Sequence, residues 1–162
     1  MPMPAYMELT GETQGKIEGS VEQKGRENSI LIDAMEHEIY IPREPQAGSP
    51  TGVRVHNPLI VTKVFDKSSP KLYQALCTGE HMTEVVIKWY RIAPTGQEEH
   101  YFTTTLEDAI VVSMKPNMPN CIDPTMEAFS HMEDVAFTYK KVSWTWEPDG
   151  IEAEDDWEAT GG

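Results

Sequence analysis

Apolar and polar residues alternate with period two along much of the chain, which predicts short β-strands. In residues 30–41, ILIDAMEHEIYI, one face carries Leu31, Met35, Ile39 and Ile41, interrupted by Asp33 and His37, while Glu36, Glu38 and Tyr40 take the other. This reads as a single strand with one polar face. Segments 59–65, 83–92, 100–106 and 108–114 are rich in β-branched and aromatic residues and read as further strands, with a hairpin loop over PTGQEE at 94–99. Short strands at Ala5 to Leu9 and at 16–23 complete the early part of the pattern. The last strand, from about Met132 to Glu147, carries Val135, Phe137 and Tyr139 on one parity but Val142, Trp144 and Trp146 on the other. A bulge or bend near Lys140 and Lys141 would restore one inward face.

The period changes to helical only after Asp66. Ser69 before Pro70 reads as an N-cap followed by a first-turn proline, Leu72, Tyr73, Leu76 and Cys77 form one buried side, and Gly79 ends the helix. The predicted fold is mainly β: a small antiparallel two-sheet β-barrel with one short flanking α-helix and a long extended loop. That loop, PREPQAGSPTGVRVHNP at 42–58, is stiffened by Pro42, Pro45, Pro50 and Pro58. Ordered loops beyond about 12–15 residues usually bind something, so this one is expected to be an arm for another subunit. Residues 1–147 read as one domain, and 148–162 as an acidic, solvated and mobile tail in which Trp157 suggests a docking contact.

Composition narrows the partners. The chain has 162 residues and a formal charge of −14, which opposes nucleic acid and anionic membranes by repulsion. No stretch approaches the roughly 20 apolar residues of a membrane span, and MPMPAYMELTGETQG lacks a signal-peptide pattern. The chain is therefore expected in the cytoplasm at first, with no membrane insertion. Cys77 and Cys121 lack CxxC spacing and read as free thiols, the first in the core and the second in a loop.

The chemistry of catalysis leaves little mark. His37, His56, His81, His100 and His131 are scattered without HxH or HExxH spacing, and GxSxG, Walker-type and GxGxxG motifs do not occur. On a strand His37 points away from Glu36 and Glu38, so it reads as a hydrogen-bonded, half-buried histidine. No enzyme, metal or cofactor is expected. A small-ligand barrel lined by Trp89, Trp144 and Trp146 is the alternative class; filling of the core by these rings is the simpler reading.

Several separated segments, RVHNPLIVTKVFDKSSPKLYQALCTGE, KWYR, EEHYFTTTLEDAIVV and FTYKKVSWTWEPDG, resemble in order the Hcp family, the secreted tube proteins of bacterial type VI secretion systems. The resemblance runs from PAYMEL at 4–9 to DDW at 155–157, and includes the arginine-x-histidine of the loop, here Arg54 and His56. It implies a homohexameric ring, stacking of rings into a tube inside a sheath, contacts with baseplate and spike proteins, small effectors carried in the lumen, and secretion without a cleaved signal peptide. It also implies that loop 43–57 reaches a neighbouring subunit or the next ring, through Arg43, Glu44, Val53, Arg54, Val55 and His56. Glu36 matches a lumen-facing position linked to cargo, with Glu38 on the same face. The arm's arginines are expected to meet carboxylates of a neighbour; the alternative is an arm that packs through Val53, Val55 and Pro58. The terminal TGG extends past the resemblance.

Overall fold

The computed structural model describes residues 3–157, and TGG lies outside them. A first hairpin joins β1 (Ala5–Gly11) to β2 (Gly15–Ile17), followed by β3 (Ile30–Ile32) and β4 (Ala34–Glu36). Strands β5 (Ile39–Tyr40) and β6 (Val55–His56) flank the long loop, and β7 (Leu59–Val64) leads into α1 (Ser69–Thr78). The hairpin of β8 (His81–Ile92) and β9 (Glu98–Asn117) is central; a 3-10 turn at Pro124–Met126 precedes β10 (Met132–Thr138), β11 (Lys141–Trp146) and β12 (Ile151–Asp156).

All strand pairs are antiparallel, and the main sheet runs β2-β1-β8-β9-β10-β7-β4, with β3 added to β1 and β11 and β12 branching from β9. Strands β5 and β6 form a separate two-stranded sheet. The fold is mainly β with one helix, as the pattern predicts. The expected barrel, however, does not close as a ring of ladders. Its ends are joined instead by the chain crossing from β3 to β4, where the Asp33 N–H donates to the Thr62 carbonyl at 2.9 Å.

That crossing corrects the single strand expected at 30–41. Strand β3 pairs with β1 and β4 with β7, so the inward face changes from Ile30 and Ile32 to Met35 across Asp33. The segments expected at 100–106 and 108–114 are conversely one strand, β9, bent at Asp108, whose φ of 51° lies in the left-handed region that aspartate tolerates. Strand β11 pairs with the part of β9 before this bend and β10 with the part after it. The long last strand is accordingly two, with the bend at Tyr139 and Lys140 that the change of parity predicts.

The acidic end is not a free tail. Strand β12 pairs with β11 along its whole length, from Lys141 opposite Asp156 to Trp146 opposite Ile151. The four residues 147–150 make the turn, closed by the Gly150 N–H donating to the Glu147 carbonyl at 3.3 Å, with Gly150 at φ 66°. Lys141 Nζ holds Glu154 at 2.9 Å, and Trp157 Nε1 donates to the Tyr139 carbonyl at 2.9 Å, the docking contact expected of this tryptophan.

In α1 the N-cap is Ser68 rather than Ser69. Leu72 and Ala75 are buried and Leu76 packs beside them, but Cys77 is exposed. Five residues beyond Leu72, Cys77 lies about 140° around the helix from it, which places it off the buried stripe and corrects the core reading. Cys121 lies exposed in the loop between β9 and β10, in agreement with its loop assignment.

The core gathers Met7, Leu9, Leu59, Val61, Ile87, Leu106, Val135 and Phe137, with Trp89 and Trp144 packed against it. Gly19 passes so close to the chain that an added Cβ would lie 2.3 Å from the Ser29 carbonyl oxygen. We expect Gly19→Ala to destabilise the fold by about 1–3 kcal/mol, read as a shift of the urea midpoint.

Within this core the inward rows of β7 and β10 contain a charged pair in direct register, Lys63 opposite Glu133, both fully buried. Lys63 Nζ lies 2.6 Å from Glu133 Oε1, 3.0 Å from Asp66 Oδ1 and 3.2 Å from Ser69 Oγ. The Ser69 hydroxyl also donates to Glu133 Oε1 at 2.6 Å, which ties the first turn of α1 to the sheet. Ser69 serves this pin instead of the helix cap.

Candidate functional site

The long loop is an ordered hairpin arm. Ile39 pairs with His56 and Tyr40 with Val55, the Thr51 N–H reaches the Pro42 carbonyl at 2.6 Å, and Arg43 bridges Pro50. At the tip Glu44 turns inward on the arm itself: its carboxylate accepts the Ala47 N–H at 2.7 Å and the Gln46 N–H at 3.3 Å, with Gly48 at φ 71°. The prolines cannot donate and have fixed φ, so the arm closes through the few N–H groups that remain. Its outer surface leaves Tyr40, Ile41 and Val53 uncovered at 41, 50 and 50%. Tyr40 and Ile41 line, with Glu38, Pro42, Arg43 and Pro45, a hollow of about 600 Å³. Arg43 makes no ion pair among the described residues.

The base of the arm is anchored elsewhere. Arg54 Nε donates to Asp155 Oδ2 at 2.6 Å, and its Nη2 to the Asp156 carbonyl at 3.2 Å. The buried His56 ring lies between Asp155 Oδ2, 2.7 Å from Nε2, and the Tyr139 hydroxyl, 2.5 Å from Nδ1. From the other side His37 Nε2 meets the same hydroxyl at 2.9 Å, and the Trp157 ring lies 5.1 Å from that of His56. The hydrogen-bonded His37 expected from strand geometry is found here.

Of the six arm residues, four stay on the arm: Arg43 at its bridge to Pro50, Val53 exposed, Glu44 capping the tip, Val55 pairing with Tyr40. Arg54 and His56 find their carboxylate within the same chain, at Asp155. Sequence reasoning misses Asp155 and Tyr139. The parity pattern counts Tyr139 for its apolar body alone, although a buried hydroxyl needs a partner. Glu36 and Glu38 lie near the arm, on and just after β4. Among the described residues no cluster of three His, Cys, Asp or Glu side chains is arranged to hold a metal.

The electrostatics of this seat favour a neutral His37. Burial, with the neighbouring His56, holds His37 below the ordinary 6.5. Burial and the Asp155 charge push the Tyr139 hydroxyl up, and the Arg54 hydrogen bond holds Asp155 below the usual carboxylate value. On β9, burial likewise lowers His100. A folded state with these two depressed histidines binds fewer protons than the unfolded chain, so the stability they contribute is full above 6.5 and is lost as pH falls below it. Asp155 adds a loss in the same direction at still lower pH. We expect the thermal midpoint to fall steadily from pH 7 towards pH 5, measured by differential scanning calorimetry; a flat midpoint over that range would contradict the depressed histidines.

The model of the type VI secretion system effector Hcp family matches residues 6–146. The chain belongs to the Hcp family. A major exported protein of Pseudomonas aeruginosa is 49% identical over 97% of this Hcp chain and 96% of its own. Among solved structures, the Hcp1 protein of E. coli EAEC 042 superposes with a TM-score of 0.85 at 39% identity, covering 96% of this chain and 99% of that one. The secreted protein Hcp3 of Pseudomonas aeruginosa superposes at 0.79 with 43% identity, covering 95 and 97%. This Hcp chain is thus a secreted, structural protein of type VI secretion, a tube protein by family. Its arm is the feature that stands out from the sheet.

Proposed function

We propose that this Hcp protein assembles into six-membered rings that stack into the inner tube, the arm of each subunit lying against a neighbour in the ring or in the next one. The observation that carries this reading is the uncovered Tyr40, Ile41 and Val53 on an arm pinned at its base and stiffened by proline. A rigid apolar projection loses little entropy on docking. A tube needs both a closed rotational interface and a separate axial one, and an arm supplies surface outside the sheet. Arg54 and His56 secure the arm, and Tyr40, Ile41 and Val53 make the contact. Glu36 and Glu38, beside the arm, face the lumen and small effectors carried there. The tube's other partners are the sheath, baseplate and spike, and the protein resides in the cytoplasm until it is secreted, without a cleaved signal peptide.

Mass in solution tests the ring. Sedimentation equilibrium should give six chain masses, whereas a monomer that takes up an apolar dye would favour the small-ligand barrel. Each subunit brings a charge of −14, so stacked rings repel unless salt screens them. We expect isolated rings at low ionic strength and longer stacks as salt rises; long tubes in low salt at micromolar protein, seen by electron microscopy, would contradict this.

A further inference from the structure

We propose that Asp155, His56, Tyr139 and His37 form a proton-operated latch that holds the base of the arm against the C-terminal strand and releases it on acidification. The consequence for assembly rests on the arm being the contact between subunits; the latch itself does not.

With both rings neutral the geometry permits a complete set of hydrogen bonds. Asp155 Oδ2 accepts from Arg54 Nε and from His56 Nε2, so in neutral His56 the Nδ1 atom is the acceptor. The Tyr139 O–H donates to it at 2.5 Å, and the Tyr139 oxygen accepts from His37 Nε2 at 2.9 Å. Every donor in this row then has an acceptor. A proton on His56 Nδ1 still leaves His37 Nε2 open to accept the Tyr139 hydroxyl, in the tautomer that carries the His37 proton on Nδ1; a proton on His37 as well removes that last acceptor. The hydroxyl must then receive N–H groups from both imidazoles, and its own proton is left buried without a partner, a costly state.

The surrounding charges do not compensate. Asp155, which also holds Arg54, pairs with an imidazolium at His56, but among the described residues no carboxylate pairs with His37, whose charged form burial and the neighbouring His56 oppose. From the strand beside the bend, Lys141 is engaged by Glu154, while Lys140 is exposed. Glu36 and Glu38 flank His37 in sequence, but their charges lie towards solvent. Two cations about one tyrosine oxygen repel, so the second protonation is opposed until the parts separate. The elements that part are the arm, through His56 and Arg54, and the end of β12 with Trp157, whose indole is bonded to the Tyr139 carbonyl.

Hydrogen exchange read by mass spectrometry on the intact protein tests the latch, after correction for the intrinsic pH dependence of exchange. Between pH 7.5 and 5.5, protection of amides in 54–57 and 151–157 should fall by about tenfold or more beyond any fall seen in β8 and β9, which follow global stability. In His56→Gln, a side chain that hydrogen-bonds but does not titrate, these segments should respond no more than β8 and β9 do. Tyr139→Phe, which cuts the row, should show the low protection at both pH values. Equal wild-type protection at the two pH values, or a His56→Gln variant that responds like the wild type, would overturn the latch. Native mass spectrometry of the same samples reports the ring independently, so a failed ring and a failed latch give different results.

Discussion

Replacing Lys63 by alanine is expected to remove about 3–5 kcal/mol of folding stability. The reason is what remains behind. Glu133 would stay fully buried with Oε2 already lacking a hydrogen-bond partner, and its charge would lose the ammonium 2.6 Å away. Asp66, its side chain nearly buried, would lose its contact at 3.0 Å. For a chain of this size the thermal midpoint should fall by roughly 6–20 °C. The pair as a whole is a different matter. Lys63→Met combined with Glu133→Leu removes both charges, while Ser69 keeps the Asp66 N–H and Asp66 keeps the Ser68 N–H. Since buried ion pairs gain little over well-packed apolar residues, the double variant should lie near wild type or above it. A single Lys63→Ala variant within about 1 kcal/mol of wild type by urea titration would show that water or rearrangement satisfies Glu133, against the cost expected for an orphaned buried charge.

The second large effect is expected in assembly and not in folding. Ile41→Asp combined with Val53→Asp should abolish the contact the arm makes: stacking is lost with the six-chain mass kept where the arm meets the next ring, and the six-chain mass itself is lost where it meets a neighbour in its own. Both side chains are half exposed, so the folded chain should change by no more than about 0.5 kcal/mol. At a docked apolar surface each carboxylate would be desolvated without a partner, a cost of several kcal/mol; every ~1.4 kcal/mol is about tenfold in association. Stacking would be followed by sedimentation velocity at high salt. Stacks that form as in wild type would remove the outer face of the arm from the axial contact.

Much of this fold is legible in residue order. Alternation locates β7, β8 and β9, the helical repeat locates α1, and the parity change around Lys140 announces a bend that exists. The failures have local causes. Alternation says which residues face together but not which neighbour they pair with, so the change of partner at Asp33 is invisible and one expected strand becomes two. The charge of 148–162 suggests a tail, yet the Asp149-Gly150 dipeptide between Trp146 and Ile151 is a hairpin signal that points to β12. The arm is visible from its length and its prolines. Its anchor is not, because Arg54 and Asp155 are 101 positions apart and no short motif links them. The buried Lys63 is hidden by a residue type that normally lies at the surface.

The anchor's separation in sequence has a meaning during synthesis. Chains emerge at about 5–20 residues per second, so the interval between Arg54 and Asp155 leaving the ribosome is of the order of 5–20 s. Through that interval β7, α1 and the β8–β9 hairpin can already fold, whereas the base of the arm has nothing to bind until Tyr139, Asp155 and Trp157 follow. A growing chain therefore holds its arm unseated, and presents it in docking position only when the strands that anchor it have followed.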